Sequence, residues 1–362
     1  MMRTFALLLI VPLTLAILVI QCEKEPETNP PIYIPDQSFL DALIKQGVDT
    51  NGDSLISETE AEAITQLNVS NCDISDMTGI ELFRLLRTLD CSYNQIASLD
   101  VSKCYSLGDL NCAYNQLTGL DLSKNVDLKK LVCTGNQLAA LDLTNNPKLV
   151  DIYCNHNKIA SLELYSNDPI KNLDCSDNQL TSLEIVNRSE IFELRCYDNQ
   201  LTSLDVSGSR ILRALYCSRN QLTTLNVSDI GLLGSLYCDE NQLTNLDVTD
   251  NYFDLHYLQC SRNQLTTLDI SKNRSLKFLI CSFNPLSEID VSSNQLLMYL
   301  NCQHSQLSSL DISNNVYLET LLLDDIPSLY QVCTWTIPFP PDELQVYITG
   351  SPNVYFTTEC SK

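Results

Sequence analysis

Cysteines stand at positions 91, 112, 133, 154, 175, 196, 217, 238, 260, 281 and 302, and every step between them is 21 residues except one of 22. Around them runs the frame Leu-x-x-Leu-x-Cys-x-x-Asn-x-Leu. Leu107, Leu110, Cys112, Asn115 and Leu117 show it, as do Leu212, Leu215, Cys217, Asn220 and Leu222. A unit this short cannot enclose a core. One turn of it carries leucines and a cysteine on its inner side and buries that side only against the next turn. Self-similarity at a fixed period of this size therefore predicts a solenoid.

The second half of each unit repeats nearly the same frame, as in Leu117 to Asn125 and Leu265 to Asn273, so the 21 residues read as nested pieces of 10 and 11. An earlier rung fits through Ile64, Leu67, Val69, Cys72 and Ile74. Over roughly residues 64–330 the chain resembles the irregular bacterial leucine-rich repeats with this nesting, which are common in secreted proteins of the Bacteroidetes. The resemblance implies a β-rich leucine-rich-repeat solenoid of short parallel strands. Neither half has helical periodicity, so two strands per turn are expected. With turns ~4.8 Å apart, about twelve of them would make a rod ~55 to 60 Å long. The inward Asn is expected to bond backbone groups where each coil bends, because a buried amide must be satisfied. That ladder stops at Ser305, and residues 331–362 are expected to form a C-terminal cap.

Residues 1–21 combine Arg3 with an apolar run from Phe5 to Ile20, a pattern that resembles a secretory signal. Cys22 just after it resembles the lipidated cysteine of a bacterial lipobox, and Glu23-Lys24-Glu25 resembles a surface-export tract of the Bacteroidetes. Residues 22–35 hold four prolines and are expected to be an extended tether. This resemblance implies a surface-exposed outer-membrane lipoprotein that touches the membrane only through its N-terminal lipid.

Residues 36–63 read as a helix-loop-helix cap. Asp36 can cap a helix carrying Phe39, Leu40, Leu43 and Ile44 at helical spacing, and Gly47 stands where it should stop. The next twelve residues place oxygen donors at the spacing of an EF-hand loop: Asp49, Asn51, Asp53, the Leu55 carbonyl, Ser57 and Glu60. Calcium is the cofactor this spacing implies. Its sixth position is Ser54 where glycine is usual, and a left-handed conformation there costs roughly 1 kcal/mol. The alternative is a turn whose carboxylates only cap the second helix, with Ser57 and Glu60 as a capping box.

Sixteen cysteines in an exported chain suggest disulfides. Stacked identical side chains point the same way, however, and cannot all converge in pairs. The repeating cysteines are therefore expected to be reduced and buried like small hydrophobes. Cys333 and Cys360 lie beyond the repeats and are the expected disulfide. The formal charge of −23 argues against nucleic acid as a partner. Acids also recur in register, at Asp100, Asp121, Asp142, Glu163, Glu184, Asp205, Asp247, Asp269, Asp290 and Asp311. Local bonding to the Ser or Thr two residues on is the expected reason they tolerate one another.

Side chains beside the second Leu of the frame should face outward. Tyr153, Tyr216 and Tyr237 precede their cysteines; Tyr257, Phe278 and Tyr299 precede the second Leu on three consecutive rungs. Tyr197 and Phe283 follow theirs, with Arg195, Arg219 and Arg262 among them. Exposed aromatics with arginine are the composition of interface hot spots, although strands favour aromatics anyway. Three scattered histidines and the lack of any nucleophile, metal or phosphate motif place an enzyme last. The expected function is a non-enzymatic, monomeric surface binder of protein or glycan, and internalin-like adhesins share such an architecture. A coat protein without a specific ligand is the alternative.

Overall fold

The computed structural model describes residues 30–164, 169–185, 190–252 and 254–360. The signal segment and Cys22 lie outside the described residues. What is described is a parallel β-solenoid, with a 14-stranded sheet running from strand Gln66–Asn68 to strand Gln345–Tyr347. Each rung of that sheet is three residues centred on the second leucine of the frame, and neighbours pair in perfect register. Leu215 sits between Leu194 and Leu236. The central residue is buried and its two flanks face outward, as alternation along a strand requires.

The other half of the turn forms a ladder only in places. Strands Ala140–Leu143 and Ser161–Leu164 pair, as do Ser203–Asp205 and Thr224–Asn226. A three-stranded sheet joins Ser309–Asp311, Gln331–Cys333 and Tyr355–Thr357. The segment expected as a C-terminal cap thus adds strands to both ladders, and Cys333 and Cys360 are joined there by a disulfide with Cα atoms 5.7 Å apart.

One hydrophobic cluster runs unbroken from Phe39 to Leu344. The repeating cysteines from Cys91 to Cys302 are free and fully buried within it. Burial pushes the Cys112 and Cys196 thiols up to about 12, so they stay protonated and unreactive. The asparagine after each cysteine closes the coil. Nδ2 of Asn220 donates to the carbonyls of Cys196, one turn back, and Cys217, at 2.9 and 3.1 Å, while its Oδ1 accepts from Leu201 N at 3.0 Å. A second inward column, Asn125, Asn146, Asn251, Asn273, Asn294 and Asn315, donates in the same way but leaves its Oδ1 atoms without a partner. Where Ser305 replaces the first-column Asn, its hydroxyl has none either.

Two residues past each cysteine the backbone is left-handed. Tyr93, Tyr114, His156, Asp177, Asp198, Arg219, Glu240, Arg262, Phe283 and His304 all hold φ between 50° and 55° or close to it. Gly135 occupies the same position, and its missing Cβ is filled by the Tyr114 ring, whose Cδ1 would lie 2.6 Å from it.

At the N-terminal end, helix Gln37–Lys45 is capped by Asp36, whose Oδ1 accepts from Phe39 N. The other oxygen accepts from the amide and hydroxyl of Ser75 and from Asp76 N, fastening the cap to the first rungs. These bonds hold the Asp36 carboxyl below the usual range against the opposing effect of its burial.

The two asparagine columns predict different costs. Asn220→Ala strands the Leu201 amide and takes one of two donors from the Cys196 and Cys217 carbonyls, and is expected to cost about 2 to 3 kcal/mol. Asn273→Ala removes an acceptor that had no partner, and should cost less by about 1 kcal/mol. Urea denaturation of the two variants checks the order.

Candidate ligand-binding face and N-terminal loop

The outward flanks of the large sheet gather most of the aromatic positions. Tyr216 stacks on Tyr237 with centroids 4.7 Å apart, and Tyr237 on Tyr257 at 4.6 Å. Tyr257 meets Phe278 at 5.8 Å, and Phe278 meets Tyr299 at 6.4 Å. The two columns legible in the sequence are therefore one ribbon. The crossing from Tyr237 to Tyr257 falls at the single 22-residue step, where Tyr237 pairs in register with Gln259 and leans across the face toward Tyr257. Nothing in the repeat pattern itself announces that crossing.

The interplanar angles from Tyr216 to Tyr257 are 15° and 25°, so these rings lie face to face. An interior ring of such a stack has both faces covered. It offers its edge and, for tyrosine, its hydroxyl. Burial pushes the Tyr257 phenol up to about 12, and the hydroxyl donates to Gln259 Oε1 at 3.1 Å. The outer face of Tyr216 is covered as well, by the Arg195 guanidinium 5.1 Å from its centroid. Arg195 is tied at 2.5 Å to Glu193. Tyr153 lies apart from the ribbon, in a small hollow of about 120 Å³ shared with Asp174 and Arg195.

A second strip follows the left-handed column. Arg219 lies over the Tyr197 ring at 5.6 Å and makes two bonds to Asp198, at 2.6 and 2.7 Å. Arg262 lies over Phe283 at 4.2 Å, and Phe283 stacks on His304 at 4.0 Å. Tyr93 and Tyr114 stack at 4.6 Å further toward the N-terminus. Sequence reasoning passed over these last two and the column itself. Its signal is weak, because tyrosine, arginine and phenylalanine occupy a conformation in which Gly, Asn or Asp is ordinary.

The acidic register lies away from this face, and its aspartates, from Asp100 to Asp311, each accept from the Ser or Thr two residues on. Asp142 accepts from the hydroxyl and amide of Thr144, and Asp121 from the amide of Ser123. These bonds hold both carboxyls below the usual range.

In the N-terminal loop, Asp49 accepts from the amides of Gly52 and Ser54, Asn51 from Asp53 N, and Asp53 from Leu55 N. Ser54 holds φ 66°. Glu60 Oε1 accepts from the amide and hydroxyl of Thr50 and from Asn51 N, and Oε2 from the amide and hydroxyl of Ser57. Ser57 and Glu60 complete a capping box on helix Glu58–Ala63. The donor set is all oxygen and correctly spaced for calcium, but its carboxylates are turned onto the loop's own amides. Among the described residues, the trio whose metal-ligating atoms converge is Asp311, Cys333 and Cys360, and two of those sulfurs are bonded to each other.

No family model matches the chain. A 75-residue stretch, 20% of the chain, is 39% identical to internalin J of Listeria monocytogenes serotype 4b (strain F2365). The chain spans only 8% of that curated protein's length. The solved functional domain of internalin J from Listeria monocytogenes, described as including a cysteine ladder, superposes with a TM-score of 0.79. It is 30% identical, over 91% of this chain and 73% of that one. An internalin structure, InlF from strain 4b F2365, gives a TM-score of 0.62 at 19% identity over 93% and 100% of the two chains, a likeness of fold. The described molecule is thus a leucine-rich-repeat solenoid with a buried thiol column. The chain belongs to the internalin-like leucine-rich-repeat proteins of bacteria. Among the described residues no helix is long and apolar enough to cross a membrane.

Burial raises the Glu60 carboxyl, but its bonds to Ser57 and Thr50 outweigh that and hold it down at about 2. A depressed folded-state value gives stability that is present above the unfolded value and lost as pH falls toward the folded one. Asp121 and Asp142 act in the same sense. The melting temperature is expected to be level from about pH 8 to pH 5 and to fall below about pH 4, where unfolded carboxyls begin to protonate. Glu60→Gln should lower the plateau and reduce the acid slope; scanning calorimetry against pH measures both.

Proposed function

We propose that the chain is a non-enzymatic cell-surface binding protein whose ligand is another protein, taken along the ribbon from Tyr216 to Tyr299. The observation that carries this reading is the face-to-face stacking of the ribbon. Sugar rings dock on open aromatic faces, and the interior rings have none to give. Edges and hydroxyls remain, together with arginines that are enriched at protein interfaces. The alternative of a coat without a ligand leaves the concentration of aromatics on one stretch of one face without a purpose.

The location we propose is the bacterial envelope, through lipid on Cys22. Cys22→Ser should release the protein from the membrane fraction, and its retention there would end the anchor reading.

For binding, beads coated with the chain are applied to cultured epithelial cells treated with trypsin or with periodate. Trypsin is expected to abolish attachment and periodate to spare it. Tyr257→Ala with Phe278→Ala should reduce attachment at least tenfold, while stability falls by no more than about 2 kcal/mol, the scale of two cross-strand aromatic contacts. Attachment lost to periodate would make the ligand a glycan. Attachment unchanged in the variant would favour the coat.

A second reading concerns the N-terminal loop, favoured by its six oxygen donors and by Ser54 held left-handed. We propose that calcium braces the cap there, held by Asp49, Asn51, Asp53, the Leu55 carbonyl, Ser57 and Glu60. Binding requires Glu60 to release Thr50 and Asn51. Chelation should then lower the melting temperature by several degrees, about 2 kcal/mol or more in a domain this size, and Asp49→Ala should remove the response. An unchanged melt on chelation means that the loop closes with its own hydrogen bonds alone.

A further inference from the structure

Arginine meets aromatic rings repeatedly on this face. Arg195 lies over Tyr216, Arg219 over Tyr197 and Arg262 over Phe283. Arg195 and Arg219 are each also bonded to a carboxylate, Glu193 and Asp198 respectively. The surface thus holds its own cations between rings and acids.

Beside them lies a shallow cavity of about 320 Å³, bounded by Tyr197, Tyr216, Tyr237, Arg219, Ser218 and Asp239. Asp239 is only 7% exposed, and it receives a hydrogen bond from Ser218 Oγ at 2.5 Å. No cation of the described residues lies within ion-pair distance of it. The nearest guanidinium, Arg219, is committed through two donors to Asp198. Three carboxylates, Asp198, Asp239 and Glu240, act electrostatically on that one guanidinium. A carboxylate this buried gains most from an ion-pair partner, because the water that would otherwise solvate it is largely excluded.

We propose that this cavity receives a cationic side chain, lysine or arginine, of the protein partner. The ammonium or guanidinium pairs with Asp239, its stem lies along the Tyr216 and Tyr237 edges, and the charge completes the sequence of ring, acid and base that the face already displays. The chain's net charge of −23 favours the approach of such a group from a distance. This inference rests on the reading of the face as a protein-binding surface and adds the chemistry of its anchor.

The test titrates the full chain with acetyl-Gly-X-Gly-amide, where X is lysine, arginine, norleucine or glutamate, and follows amide resonances of Tyr216 to Glu240. Choline is titrated as a free cation. Lysine and arginine peptides are expected to bind, with affinity at least tenfold weaker for Asp239→Asn, while norleucine and glutamate peptides leave the resonances in place. On the unaltered chain, affinity for the lysine peptide should fall with added salt, a readout that stands even if the variant does not fold. Norleucine binding as well as lysine, no binding of either cationic peptide, an unchanged affinity in Asp239→Asn or an absence of salt dependence would each overturn the proposal. Choline binding more tightly than the lysine peptide would replace the partner side chain with a small ligand. Phe278→Ala with Tyr299→Ala alters the ribbon but touches no residue of this cavity's lining, so failure of the ribbon and failure of the cation site give different results.

Discussion

Everything in this molecule depends on a turn being unable to bury itself. Leu215 is sealed because Leu194 and Leu236 stand directly beside it in register. The chain can hold that stacking only if the backbone bends sharply twice per turn without abandoning polar groups inside. Asn220 meets the requirement at one bend, binding two carbonyls and an amide from successive turns. The bond is therefore both a corner brace and a cross-tie. At the other bend the second asparagine column supplies only the donor half of that service. The thiols fit the same scheme: a protonated sulfur fills the inward position two residues past the central leucine as a small hydrophobe, a place that buried Leu323 takes one rung beyond Cys302.

Once the interior is committed to stacking, the outward positions inherit the same geometry. A residue placed on one rung has a counterpart at strand spacing on the next, and aromatic rings repeated there must lie against one another. The ribbon is thus as much a product of the period as the core is. That is why its rings are presented edge-on, and why the arginines settle on the ring faces that end or flank it, as Arg195 does at Tyr216 and Arg262 at Phe283.

The parts legible in the sequence are those the period controls: the sheet, the thiol column, the asparagine brace and which side chains face outward. Others were hidden for definite reasons. The merging of two aromatic columns depends on Tyr237 leaning diagonally across the face to Tyr257, a side-chain direction that the repeat frame does not specify. The left-handed column was hard to read because favoured occupants such as Gly135, Asp177 and Asp198 are mixed with Tyr93, Tyr114, Arg219, Arg262 and Phe283, which that conformation does not favour. Pro-rich, aromatic composition suggested a distinct structure for residues 331–362, yet strands Gln331–Cys333, Gln345–Tyr347 and Tyr355–Thr357 continue the ladders. Backbone pairing there persists after the side-chain frame has lapsed. In the N-terminal loop the spacing of oxygens was clear, but spacing does not say whether a carboxylate turns toward an ion or toward an amide, and Glu60 turns to amides.

The two ends of the rod are closed in different ways. At the first, helices Gln37–Lys45 and Glu58–Ala63 precede strand Gln66–Asn68, and Asp36 fastens the first of them to Ser75. At the last, strands Gln345–Tyr347 and Tyr355–Thr357 have a neighbour on one side only, and the bond between Cys333 and Cys360 is what clasps them. Loss of order should accordingly have a direction. Turns peel from the far tip inward, one seam at a time, and the clasp sets how soon the peeling begins.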